Sequence, residues 1–275
     1  MRRALPRLLL AAVALLYASP LLLMVSGSLR GRGLPPPRGV EILPGSPTLD
    51  AYATIAEVLP LATYGRNSLV VAALAVPLTV LVGSLAGFGI RLLPPRATRW
   101  ALAATVGALL VPVTAVWATR FELFRLAGAV DTFVPLVGLA LVATSPFLVL
   151  VYAFAFWQLP DEQLEAAALD GAGPLRLWWS IGLPQARAAT LAVVVLAFTF
   201  HWSNFIDPLL YLNRQSLFTA PLGLRLLQQL NPTDWPLLMA GAVLTTLPPV
   251  AVFLLGQRAF LGDEGLLATA GRWRR

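Results

Sequence analysis

Six stretches of this chain run without a single Asp, Glu, Lys or Arg: 8–29, 67–90, 100–119, 132–160, 188–206 and 235–257. Within them polar residues do not recur every third or fourth position, as they would on the wet face of a soluble helix. Crossing a hydrocarbon core takes about 20 helical residues at about 1.5 Å each, and every stretch is near or above that length. Lipid offers no partner to an unpaired backbone amide, so helices are the spanning form. The pattern predicts an all-α integral membrane protein with six transmembrane helices, at about 8–29, 67–90, 100–119, 132–160, 188–212 and 235–258. No linker separates a second domain, so residues 1–275 are expected to form one.

The first stretch follows Arg2, Arg3 and Arg7, as the apolar core of a secretory signal would. It is too long for that role, and no small-x-small cleavage site follows before Arg30, so it is read as a retained span. Six spans place both termini on one side. If that side is the cytoplasm, the inner segments hold Arg2, Arg3, Arg7, Arg91, Arg96, Arg99, Arg176, Arg187, Arg258, Arg272, Arg274 and Arg275. Eight arginines remain outside, so the positive-inside rule favours cytoplasmic termini by a modest margin. The largest outer segment, 30–66, carries the densest proline cluster, "GLPPPRGVEILPGSP", which fits an ordered loop and not a helix. Trp100, Trp117, Trp157 and Trp235 stand near stretch ends, where an indole prefers the headgroup region. Gly83 and Gly87 form a GxxxG, which lets another helix approach closely.

Composition narrows the chemistry. Charged residues make up 12% of the 275, against about a quarter in soluble domains. There is no cysteine and one histidine, His201, which excludes disulfides, thiolate metal sites, a cysteine nucleophile and a His-rich metal centre within this chain. The net charge of +7 is all arginine, scattered between spans. That distribution suits anionic lipid headgroups and lacks the basic, aromatic-studded face of a nucleic-acid binder.

One stretch interrupts this apolar background: "LEAAALDGAGPLRLWWSIGLP", residues 164–184. Pro160 ends the fourth span, and Asp161 is a good N-cap for a helix through about Leu169. Glu162 and Glu165 lie early in that helix, where its dipole favours them. Asp170-Gly171 is a stop signal, since glycine takes the left-handed conformation freely. Gly173-Pro174 starts a second helix, with Leu175, Leu177, Trp178, Trp179 and Ile181 as apolar surface for docking. Leu183-Pro184 is expected to break it before the fifth span. Two short helices at an angle would present Ala166, Ala167 and Ala168 beside a carboxylate, a surface suited to a cleft on another protein. The alternative is an ordinary interfacial loop, which is usually shorter and lacks paired glycine stops.

The pattern Glu165-Ala166-Ala167, three residues, Gly171, nine residues, Ile181, one residue, Leu183-Pro184 resembles the EAA motif of ABC importer permeases. Its place between the fourth and fifth of six spans matches as well. The resemblance covers most of the chain and is nearest to the second permease subunit of maltose-type carbohydrate importers. Two positions depart from it: Arg187 stands where the family often has a second proline, and the family's Trp-Asn-Asp/Glu-aromatic reads Trp202-Ser203-Asn204-Phe205.

This resemblance implies a permease subunit with no catalytic residue, metal or cofactor of its own, in a bacterial or archaeal cytoplasmic membrane. It implies a second permease subunit, two cytoplasmic ATPases carrying ATP and Mg, and an extracytoplasmic solute-binding protein. Each ATPase would receive one loop, here through Glu165, Ala166, Ala167, Ala168, Asp170, Gly171, Ile181, Leu183 and Pro184. The chain has no GxxxxGK[ST] phosphate loop, so nucleotide must bind elsewhere. The resemblance favours a sugar or oligosaccharide; permeases for polyamines, anions or iron chelates share the same loop.

The fifth span supplies the candidate pathway. On one continuous helix at about 100° per residue, Thr199, His201, Ser203, Asn204, Asp207 and Tyr211 fall within one half, with Phe198, Trp202, Phe205, Leu209 and Leu212 on the other. Polar groups at membrane depth are expected to face the bundle interior or a water-filled cavity. They could line the route, bond neighbouring helices, or sit at the outer interface beside a kink at Pro208. An intramembrane enzyme or a proton-coupled transporter would need more buried ionisable groups than His201 and Asp207 provide.

Overall fold

The computed structural model describes residues 4–142 and 145–262, and among these the regular structure is helical throughout. In chain order the helices are α1 (Ala4–Ser28), α2 (Asp50–Val58), α3 (Leu61–Leu92), α4 (Pro95–Leu110), α5 (Trp117–Leu126), α6 (Val134–Val142) and α7 (Pro146–Trp157). There follow α8 (Asp161–Leu169), α9 (Pro174–Leu177), the short α10 (Leu183–Gln185), α11 (Arg187–Ser203), α12 (Ile206–Tyr211), α13 (Ala220–Leu230) and α14 (Trp235–Gly262). Arg2, Arg3, Arg272, Arg274 and Arg275, counted above for orientation, lie outside the described residues. Among the described residues, four stretches are long and apolar enough to cross a membrane: Arg7–Ser28, Leu61–Leu92, Val134–Trp157 and Trp235–Gln257. The number rises to six if each of two sharply bent helix pairs counts as one span.

The stretch 100–119, expected as one span, is two helices instead. α4 and the segment Val113–Leu126 meet at 86°. Pro112 is the cause: the residue before a proline is pushed out of the helical region, and Val111 has ψ 117°. The expected single helix over 188–212 is also divided, since α11 ends at Ser203 and Asn204 is extended with ψ 122°. A continuous helix would drive the Pro208 ring into the carbonyl four residues earlier, which is that of Asn204. The chain opens at that residue.

The chain divides into two compact units, one formed by residues up to Arg66 with Phe218–Pro248, the other by Asn67–Leu217 with residues from Pro249 onward. In the first unit, α2 and α13 pack with the start of α14 around Ala51, Ile55, Tyr64, Leu227, Leu237 and Ala240. Gly223 permits this, because a Cβ there would collide with the Tyr64 ring. Arg32 donates to Asp234 at 3.3 Å and to Thr54 at 3.0 Å.

The second unit has its own core: Ala72, Val76 and Phe88 of α3, Tyr152 and Phe156 of α7, and Val193 and Ala197 of α11. Gly87 serves the close approach expected of GxxxG. A Cβ at that position would lie 2.6 Å from Tyr152 Cβ and 2.8 Å from the Ala153 nitrogen, so α3 and α7 touch backbone to backbone. Leu164, Leu177 and Trp178 join this core from the 161–184 loop.

Candidate functional site

The loop between α7 and α11 begins with Asp161 at the first helical position, one residue later than a cap. Pro160 holds the capping position and supplies no side-chain bond. The Asp161 carboxylate pairs instead with Arg91 in the last turn of α3. The helix ends in a Schellman turn. Gly171 donates to the Ala168 carbonyl at 3.0 Å and Ala172 to the Ala167 carbonyl at 2.9 Å, with Gly171 at φ 84°. Nothing lies within 4 Å of the position its Cβ would take, so conformation alone asks for glycine here.

Proline then opens α9, and Trp178–Gly182 is a π-helical turn in which the Leu183 amide reaches back five residues to the Trp178 carbonyl. The widened turn explains why Pro184 sits inside a helical segment without breaking it. Proline lacks the amide and crowds the preceding turn, and the extra residue relieves both. The break expected at Leu183-Pro184 falls at Ala186 instead, where Pro174–Gln185 and α11 meet at 84°.

The loop's side chains divide by face. Leu164, Leu177 and Trp178 are buried, with Ala167, Ile181 and Leu183 half-buried against the same core. The Trp178 indole donates to Ser84 Oγ at 3.3 Å, and Gly182 sits so close to Phe88 and Phe156 that a Cβ would meet them at 3.0 and 3.3 Å. Gln185 donates to Gln163 at 2.6 Å, tying the two halves together. Glu165, Ala166, Ala168, Leu169, Asp170, Leu175, Trp179 and Pro184 remain exposed. Of the apolar surface expected for docking, Leu177 and Trp178 are consumed internally and Ile181 is half-buried, leaving Leu175 and Trp179 exposed.

The polar residues of the fifth stretch do not share one helical face, because the helix is interrupted among them. His201 Nε2 bonds Thr79 Oγ1 of α3 at 3.2 Å. Ser203 is exposed at the end of α11. Beyond the break, Asn204 acts as a local cap: its Oδ1 accepts the Asp207 amide at 3.2 Å, and its Nδ2 donates to Asp207 Oδ2 at 2.6 Å. The other carboxylate oxygen of Asp207 pairs with Arg120 in the first turn of α5. Tyr211 is fully buried, stacked on Phe121 at 5.9 Å and edge-on to Phe124 at 5.5 Å.

Two residues missed in the sequence complete this arrangement. Arg120 is one; a buried aspartate requires a cation, and the requirement was legible though its source was not. Asp131 is the other. It has φ 63°, donates its amide to the Tyr211 carbonyl at 2.7 Å, and accepts from the Asn213 and Arg214 amides at 3.0 Å each. Its carboxylate also takes Arg214 Nε at 2.5 Å. Those backbone amides first, and the guanidinium after them, hold the Asp131 carboxyl below the ordinary carboxylate range. Within α12 and its flanks, Arg120 and Asp131 fix the two ends of one short helix.

Comparison with known proteins bears on both features. The family described as "Binding-protein-dependent transport system inner membrane component" matches residues 68–261, which takes in the loop and both pieces of the fifth stretch. The sn-glycerol-3-phosphate transport system permease protein of Yersinia enterocolitica is 41% identical over 121 residues, 43% of this chain and 42% of that protein. The chain therefore matches less than half the length of these first relatives. The lactose transport system permease protein of Rhizobium radiobacter is 29% identical over 203 residues, 74% of this chain and 73% of that one. The arabinooligosaccharides transport system permease protein of Halalkalibacterium halodurans is 27% identical over 254 residues, covering 91% and 90%. In fold, the chain resembles a solved bacterial ABC transporter involved in the import of the acidic polysaccharide alginate. The TM-score is 0.73 at 16% identity, over 94% of this chain and 95% of that one. The match over most of its length places this chain in the family of inner membrane components of binding-protein-dependent transport systems.

Proposed function

We propose that this chain is one of two permease subunits of an ABC importer for a sugar or oligosaccharide, working with two cytoplasmic ATPases and an extracytoplasmic solute-binding protein. The observation that carries this reading is the loop 161–184, a glycine-stopped helix pair whose inner face is welded to α3 and α7 and whose outer face stays open. A surface free on one side and rigidly attached on the other suits force transmission. ATP-driven closure of the ATPases would move the loop, and α3, α7 and α11 would carry that motion toward alternating access. Hydrolysis belongs to the partner, with ATP and Mg bound there.

Six spans with cytoplasmic termini and a single permease domain complete the proposal. Sugar or oligosaccharide cargo is supported by the relatives named for lactose and arabinooligosaccharides and by the alginate importer's fold. A phosphorylated polyol is the second reading, favoured by the relative named for sn-glycerol-3-phosphate. Asp207, Asn204, His201, Ser203 and Tyr211 are proposed to border the route, with Ser203 exposed at the break and Asp207 and Tyr211 buried beyond it.

The chain has no cysteine, so Ala168→Cys introduces one thiol on the open face of α8. In the assembled transporter, with the partners' own thiols removed, it should crosslink to an ATPase subunit. Labelling from the extracytoplasmic side alone would overturn the docking assignment.

A further inference from the structure

The proline-rich segment after α1 has no part in the two features above, yet it is tightly held. Ser26 Oγ donates to the Glu41 carbonyl at 2.8 Å, Arg30 Nε pairs with the Glu41 carboxylate at 3.0 Å, and Arg30 Nη1 donates to the Pro35 carbonyl at 2.7 Å. The Thr48 amide returns to the Leu29 carbonyl at 2.8 Å. The segment therefore folds back over the end of α1. A cleft of about 440 Å³ lies there, walled by Pro20, Leu23 and Gly27 of α1, by Pro36, Pro37 and Val40 of the loop and by Trp235 and Met239 of α14, with Arg30 and Glu41 also in its lining.

The height of this cleft follows from helix geometry. Pro20 and Leu23 lie about 12 and 8 Å back along α1 from Ser28, at about 1.5 Å per residue. None of the apolar window of α1 is buried within the chain, so in the spanning reading that helix is covered by lipid. The cleft opens on the same surface. Val40, Ile42 and Leu43 stand beside it, exposed by 80%, 72% and 76%. Three bare aliphatic side chains within four residues are unfavourable in water. The segment is also suited to a poorly hydrated place: its one acid is neutralised by Arg30, and Pro35, Pro36 and Pro37 bring no amide protons that need a partner. Arg38, exposed between the prolines and Val40, offers a cation at headgroup level.

We infer that residues 35–43 form a membrane-interfacial anchor. Val40, Ile42 and Leu43 enter the headgroup–acyl boundary of the leaflet at the C-terminal end of α1. A phospholipid chain lies along the cleft, and Arg38 meets lipid phosphate. The inference rests on the reading of α1 as a span, and its occupant is lipid because Val40, Ile42 and Leu43 stand bare beside the unburied apolar window of α1, while Glu41, the acid in the cleft lining, is neutralised by Arg30.

Single cysteines at Ile42, at Leu16 on α1 and at Glu57 on α2 test it, each carrying a nitroxide in the assembled transporter in phosphatidylglycerol-containing vesicles with cysteine-free partners. Oxygen concentrates in lipid and a nickel chelate in water. The ratio of oxygen to nickel collisions at Ile42 should be several-fold above that at Glu57 and close to that at Leu16. A lipid-like Leu16 with a water-like Ile42 overturns the anchor and leaves the spanning reading intact. Shielding of Ile42 from both reagents overturns it in favour of a protein partner on the patch. A water-like Leu16 overturns the spanning reading and the anchor with it.

Discussion

Gly171 sits at φ 84° with open space beside it, so a side chain there is opposed by backbone conformation and by nothing else. A β-branched residue held in that region costs about 1–3 kcal/mol. Asparagine visits it more readily than most residues. Gly171→Val should therefore abolish most coupled uptake while Gly171→Asn retains much of it, measured as solute transport per ATP hydrolysed. Equal transport by Gly171→Val and wild type would show that the turn does not need its left-handed residue. Asp131 makes a pH prediction. Its folded-state pKa is depressed, so its stabilisation is present above the unfolded value of about 3.9 and is lost as pH falls through the folded one. On acidification below about pH 4, the melting temperature of wild type should fall more steeply than that of Asp131→Asn. Parallel curves for the two proteins would exclude the carboxylate as the source.

At the scale of elements, prolines divide into those the helix absorbs and those it does not. Pro20 and Pro77 lie inside α1 and α3, and Pro184 rides on a π turn, whereas Pro112 and Pro208 each end a helix upstream of themselves. Hydropathy reads all five alike, which is why the six apolar stretches and the loop 161–184 were legible and the two interruptions were not. The polar stripe depended on one unbroken helix, so its angular grouping fails beyond Asn204. What replaces it is a clamp, with Arg120 of α5 and Asn204 both engaging Asp207 of α12. Removing one partner of a buried charge pair costs about 3–5 kcal/mol because the other charge is left alone. Arg120→Ala should lower the yield and melting temperature of the complex, and Arg120→Ala with Asp207→Ala should recover much of the loss. Size-exclusion profiles and thermal unfolding of the purified complex decide this. A double variant no better than the single one would mean that the pair does not hold the two helices together.

At the scale of the whole molecule, the loop's placement between apolar stretches and its glycine stop were plain from the residues. The bolts that attach it were not, because Arg91 to Asp161 and Trp178 to Ser84 join positions 70 and 94 residues apart. Such pairings have no periodicity to read. In the proposed coupling role they matter because a lever must be stiff at its root, and an exposed helix pair fixed at both ends would move only with the helices beneath it. The divided fifth stretch has a different consequence. α11 holds 17 residues, which extend about 25 Å against a hydrocarbon thickness of about 30 Å. Its last carbonyls lose their helical donors before the far interface is reached. Oxygen atoms stranded at that depth are tolerable only where protein or water supplies protons to them. If the proposed route passes this point, the interruption calls for protein or water donors in the interior of the bundle, and a hydroxylated solute arriving there would exchange one set of such partners for another.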